Sequence, residues 1–184
     1  MRVNPPRRPV FLTGMMGSGK STLAPRLAEL WSAPWLDLDR RIERIFGRSI
    51  PALFAGGEAE FRRREAAALR SLVAEPGVRA RTLVVACGGG VVIDPSLRAL
   101  MAEVGVAVYL RVDVDSLVAR LRAGDRGDRP LLPADDDALR SRLADLLRDR
   151  EAAYASAEVV VDGRGPPQDV VGRVLSAMDR GEAP

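Results

Sequence analysis

The stretch Gly14-Met15-Met16-Gly17-Ser18-Gly19-Lys20-Ser21 fits the pattern G-x-x-x-x-G-K-[ST] over its whole length. Glycines at those positions let successive backbone N–H groups turn inward around phosphate oxygens, and a helix opening behind the loop adds the positive end of its dipole. Lys20 would reach the β- and γ-phosphates and the Ser21 hydroxyl would ligate Mg²⁺. With Gly17, Ser18, Gly19 and Thr22 they form an expected ATP site. Further on, Asp37 and Asp39 stand two apart at the end of the apolar run Trp35–Asp39. Read as a strand end, that spacing puts both carboxylates on one face, at the sheet edge where α/β proteins bind ligands. There Asp37 is expected to hold the Mg²⁺ through water, and Asp39 to accept a hydrogen bond from an attacking hydroxyl.

Composition removes competing chemistries. The 184 residues include no histidine, which excludes Ser-His-Asp and Cys-His catalysis and leaves acid–base work to carboxylates. A single cysteine, Cys87, excludes a disulfide scaffold and a cysteine-rich zinc site. The isoelectric point is near 9.7 and the net charge +3, yet acidic residues are interleaved throughout and aromatics are only 4%, so no nucleic-acid partner is expected. Of the 28 basic residues Lys20 alone is a lysine, which makes its position in the glycine loop informative. No export signal and no run of about 18 apolar residues occurs, so the expectation is a cytoplasmic protein with no membrane contact.

These residues must be positioned by alternating strands and helices. Val10–Thr13, Trp35–Asp39, Leu83–Ala86, Val106–Val112 and Val159–Asp162 read as strands. Helical spacing or end signals mark Ser18–Trp31, Ile42–Phe46, Ser49–Phe54, Glu58–Leu72, a helix opened by Asp94-Pro95, Asp115–Arg122, Ala138–Tyr154 and Pro167–Met178. Pro25 falls beyond the comfortable first turn of its helix and predicts a distortion there. Ala123–Asp137 is rich in Gly, Pro, Asp and Arg, and regular patterns resume after it, so it reads as a mobile excursion. The whole is an α/β chain, one domain over 1–184, with a five-stranded parallel sheet covered on both faces.

In order along the chain stand the glycine loop, Leu36-Asp37-Leu38-Asp39, Gly57-Glu58-Ala59-Glu60-Phe61-Arg62, Gly88-Gly89-Gly90 and Arg129-Pro130-Leu131-Leu132. That series, from about Val10 to Val171, resembles shikimate kinase, a small kinase of the P-loop NTPase fold related to nucleoside-monophosphate kinases. The resemblance implies transfer of the ATP γ-phosphoryl group to the 3-hydroxyl of shikimate. It assigns the substrate carboxylate to Arg62 and Arg150, the ring hydroxyls to Asp39, and close backbone approach to Gly88, Gly89 and Gly90. Guanidinium forks suit a planar carboxylate. A helical segment at about 40–72 would bind the substrate, with Glu65 fixing an arginine. Residues 123–137 would be the lid, carrying Arg129 onto the transferred phosphoryl group, and Arg120 and Arg164 would flank the adenine. The enzyme is expected to act as a monomer, with Lys20, Asp39 and Arg129 as its catalytic set.

The chain departs from the family pattern at Pro25, at Cys87, which reads as buried packing, and in the short Gly163–Pro167 loop that bears on the adenine contacts. A gluconate kinase or another small-metabolite kinase shares the P-loop and remains the alternative enzyme. A nucleotide-dependent binding module without catalysis is the alternative of another class, although Lys20, Ser21, Asp37, Asp39 and Arg129 are all present.

Overall fold

The computed structural model describes residues 4–123 and 135–181. Among these residues five strands and eight α-helices follow one another: β1 (Pro9–Thr13), α1 (Lys20–Leu30), β2 (Trp35–Asp37), α2 (Leu38–Phe46), α3 (Ile50–Phe54), α4 (Glu58–Val73), β3 (Leu83–Ala86), α5 (Pro95–Val104), β4 (Val106–Arg111), α6 (Val114–Ala123), α7 (Asp136–Ala155), β5 (Val159–Asp162) and α8 (Pro167–Gly181). The strands form one parallel sheet in the order β2-β3-β1-β4-β5.

Their apolar runs are continuous because both sheet faces are covered. Alternation along each strand divides the side chains between two cores. Val10 and Leu12 of β1 join Val84, Ala86, Val108 and Leu110 beneath α1 and α8. Phe11, Val85 and Tyr109 face the opposite way, into a larger core closed by α2 to α7.

Register decides where the loops meet. Leu12 and Asp37 both pair with Ala86, so β1, β2 and β3 end at one level. The order reverses at β1, which has β3 on one side and β4 on the other. Such a switch point opens a crevice at the carboxyl ends of the strands.

One local expectation changes. The second strand stops at Asp37 instead of running to Asp39, because the Asp37 carboxylate accepts the Asp39 and Arg40 N–H groups at 3.0 and 3.3 Å and caps α2. Asp39 therefore sits in a first helical turn; the capping tendency of aspartate outweighs the period-two pattern. Helix α1 continues through Pro25, with Leu23, Ala24, Leu27 and Ala28 buried against the sheet.

Candidate active site

One cleft of about 510 Å³ lies over the carboxyl ends of β1, β2 and β3. Its phosphate side is the turn from β1 into α1. Gly14 takes φ 138°, and a side chain there would meet the Leu110 carbonyl at 2.8 Å, so glycine is required on both counts. The Lys20 ammonium is folded over the loop, 2.8 Å from the Gly14 carbonyl and 2.9 Å from that of Met15. Ser21 donates its hydroxyl to Asp37 Oδ2 at 2.6 Å, so the first turn of α1 and the cap of α2 meet at the cleft. Gly17, Ser18, Gly19 and Thr22 line the same side.

The other side is built from four separate elements. Asp39 enters from α2, Arg62 and Glu65 from α4, Gly88–Gly90 from the turn after β3, and Arg150 from α7. Arg62 donates to Glu65 at 2.7 Å and to Glu58 at 3.1 Å. Its neighbours in the arginine run turn elsewhere: Arg63 is exposed on Glu60, and Arg64 lies over the Phe46 ring. Glu65 is buried, and its Oε1 has no hydrogen-bond partner in the protein. Burial raises the pKa of Asp39, with the Asp37 charge adding to it and Lys20 opposing; burial also raises Glu65 against the pull of Arg62.

The glycine turn explains how these groups fit. A Cβ on Gly88 would lie 2.6 Å from Glu65 Oε1 and 2.9 Å from Asp39 Oδ1; one on Gly90 would overlap the Arg62 guanidinium. The two outer glycines thus make room for the protein's own carboxylates and arginine. Gly89 differs: its nearest neighbours would be the P-loop backbone atoms Met16 N and Gly14 O, at 3.5 and 3.6 Å. Arg150 is buried, with Nη1 3.5 Å from the Gly89 carbonyl.

Two arginines, a buried aspartate and a glycine turn thus share one cleft with a phosphate loop, and the chain as a whole matches one known family. A family model for shikimate kinase matches residues 16–179. The chain belongs to the shikimate kinase family. A shikimate kinase of Salinibacter ruber is 43% identical over 176 residues, 92% of this chain and 83% of that protein. One from Aromatoleum aromaticum is 42% identical, covering 92% and 93%. The structure of Acinetobacter baumannii shikimate kinase in complex with shikimate superposes with a TM-score of 0.85 at 31% identity, over 100% of this chain and 97% of that one. A gluconokinase from Sinorhizobium meliloti, at TM-score 0.63 and 20% identity, shares the fold.

For this shikimate kinase family member the structure brings most of the expected residues together and separates one. Arg164 turns away: its guanidinium pairs with Asp162 at 2.9 Å, outside the cleft, and only its neighbours Gly163 and Gly165 line the cleft. The Asp162 carboxylate is two residues away and held low, to a pKa of about 2, by that arginine, which makes it the stronger attraction. Arg120 does reach the cleft, donating to the Ser18 carbonyl at 3.1 Å and the Gly163 carbonyl at 2.7 Å, so it joins the P-loop to the Gly163–Gly165 turn. Cys87 is buried and its thiol pKa is raised by that burial, which fits packing rather than nucleophilic chemistry. Arg129 lies outside the described residues, as does most of 123–137.

Sequence reasoning missed the apolar wall. Ile50 and Phe54 of α3 line the cleft, and Phe54 stacks on Phe61 at 4.1 Å between centroids, with the Arg62 guanidinium 5.3 Å from the Phe61 ring. The apolar residues of a five-residue helix carry no signal that separates a pocket wall from core.

Proposed function

We propose that this chain transfers the γ-phosphoryl group of ATP to the 3-hydroxyl of shikimate. The observation that carries the reading is the cluster of Arg62, Arg150, Asp39 and Glu65 around Gly88–Gly90, in one cleft with the P-loop. Shikimate is a carboxylate on a ring bearing hydroxyls. Arg62 and Arg150 hold its carboxylate, Phe54 and Ile50 face its apolar ring edge, and Asp39 takes the hydroxyl that is attacked.

Lys20 and the loop N–H groups hold the β- and γ-phosphates. The hydroxyl of Ser21 and the carboxylate of Asp37, 2.6 Å apart, are hard oxygen donors of the kind Mg²⁺ prefers. Among the described residues no group of three or more acidic, histidine or cysteine side chains gathers at one point, so this pair would share the ion with nucleotide oxygens and water. Bound there, Mg²⁺ supplies neutralisation of charge on the β- and γ-oxygens. Asp39 orients the hydroxyl and accepts its proton as the phosphoryl group transfers. Its raised pKa puts the acid limb of kcat/KM above the ordinary carboxylate range. Arg129 is assigned to the transferred group by its place in the Arg129-Pro130-Leu131-Leu132 motif. One chain supplies every group named, so the monomer is the working unit.

The test is ADP release from MgATP with shikimate, gluconate or no acceptor, beside an Asp39→Asn control. Release that depends on shikimate and disappears in the variant supports substrate and site together. Release with gluconate alone overturns the roles given to Arg62 and Arg150. No acceptor-dependent release with ATP binding intact would make the chain a nucleotide-dependent binding module.

A further inference from the structure

The P-loop and the glycine turn follow different strands and serve different substrates, yet they come close at Gly89. A Cβ added there would be in ordinary contact with Gly14 O and Met16 N of the P-loop. The Tyr154 hydroxyl sits at that junction: it donates to the Gly89 carbonyl and lies 3.5 Å from Sδ of Met15 in the P-loop. Tyr154 is on α7, one turn after Arg150, whose Nη1 reaches the same carbonyl. The ring is fully buried and stacks on Tyr109 at 4.9 Å with 12° between planes. Tyr109 in turn donates to Glu151 at 2.6 Å. This stack fixes the Tyr154 hydroxyl in direction as well as place.

We propose that Tyr154 is a positioning residue that ties the acceptor turn to the P-loop, so that binding of nucleotide and binding of shikimate each strengthen the other. The Tyr154 hydroxyl meets both the Gly89 carbonyl and Met15 of the P-loop, and a shift of that carbonyl moves Gly88 and Gly90, and with them the room that Asp39, Glu65 and Arg62 occupy. Burial raises the Tyr154 pKa to about 12, so its hydroxyl stays a donor across the working range. The link carries no proton in the reaction. It sets the distance between the two half-sites, on which in-line transfer depends steeply.

The inference rests on the function proposed above. Calorimetry gives the shikimate dissociation constant without nucleotide and with saturating MgADP, for wild type, Tyr154→Phe and Tyr109→Phe; initial rates give kcat and both KM values. Wild type is expected to bind shikimate about fivefold tighter with nucleotide, a usual size for coupling between sites. Tyr154→Phe keeps the ring stack and loses most of that factor; its kcat falls about five- to tenfold, the size of one lost buried hydrogen bond, with the KM for ATP unchanged. Tyr109→Phe also loses a buried phenol hydroxyl, and is expected to melt earlier while keeping coupling and kcat.

Wild-type coupling and kcat in Tyr154→Phe, the same losses in Tyr109→Phe, or no coupling in the wild type would each overturn the proposal. Should Tyr154→Phe fail to fold, Met15→Leu removes the sulfur at the P-loop end of the link; coupling left intact there also overturns it. A wild type that binds no shikimate at all refutes the proposed function, and this inference falls with it. Shikimate binding without coupling refutes the inference alone.

Discussion

The two halves of the cleft are made differently. The phosphate half is backbone: consecutive residues from the end of β1 into the first turn of α1, folded by local geometry and closed by the chain's single lysine. The acceptor half is mostly side chains: α2, α4 and α7 each send in one or two groups around the glycine turn after β3, and none of these elements neighbours all the others in sequence. A backbone site fails where a residue cannot adopt the conformation. A side-chain site fails where a partner moves, even if the fold is untouched.

The largest effect expected on that contrast comes from the phosphate half. Lys20→Met should lower kcat by on the order of 10²–10³-fold, as loss of a preorganised donor to developing charge does. Steady-state rates with shikimate held saturating check it.

Arg62→Lys comes next. A lysine keeps the charge but loses the planar fork and the paired bonds to Glu65 and Glu58, so the KM for shikimate should rise roughly 10- to 100-fold with the KM for ATP unchanged. An equal rise in both constants would erase the division between the halves.

Glycine substitutions sharpen the same division. Gly14→Ala forces a side chain to φ 138° against the Leu110 carbonyl, a backbone atom with no room to yield, and should lower both the melting temperature and nucleotide affinity. The atoms nearest a Cβ on Gly90 belong to the end of the Arg62 side chain, which can move. The melting temperature of Gly90→Ala should therefore stay close to wild type while the shikimate KM rises about tenfold, less than for Arg62→Lys. Thermal unfolding beside kinetics separates the two variants.

The smallest effect is on stability. The folded-state pKa of Asp39 is raised by burial and by Asp37, so its contribution to stability is present at acid pH and is lost as pH rises through that raised value. At neutral pH the ionised carboxylate is a burden, and Asp39→Asn, though inactive, should melt about 2–4 °C higher than wild type. The advantage should vanish as pH falls towards the ordinary carboxylate range, where wild type is itself protonated. A melting temperature for Asp39→Asn that is lower at neutral pH would show that Asp39 is held by more than these charges.

Much of the fold was legible because its signals are local. The five strands are apolar runs bounded by glycine or aspartate, and Ser49, Asp94 and Asp37 cap helices with their own side chains. The misreading at Asp39 came from two local signals in conflict, strand alternation and a capping aspartate, where the hydrogen bonds to Asp39 N and Arg40 N decide. Arg164 could not be placed from sequence because Asp113, Asp162 and the cleft all compete for one guanidinium.

The sequence by itself determined the phosphate loop, the alternating α/β order and the exclusion of histidine and thiol chemistry, since each depends on residues adjacent in the chain or on composition. The family resemblance singled out Arg62 of Arg62-Arg63-Arg64, where spacing alone did not; only the tertiary structure decided why Gly88 and Gly90 bear no side chain, and that the Tyr154 hydroxyl lies between the Gly89 carbonyl and Met15. Those facts rest on the shared register of Leu12, Asp37 and Ala86, which ends three strands at one level and brings to one point groups that are distant along the chain.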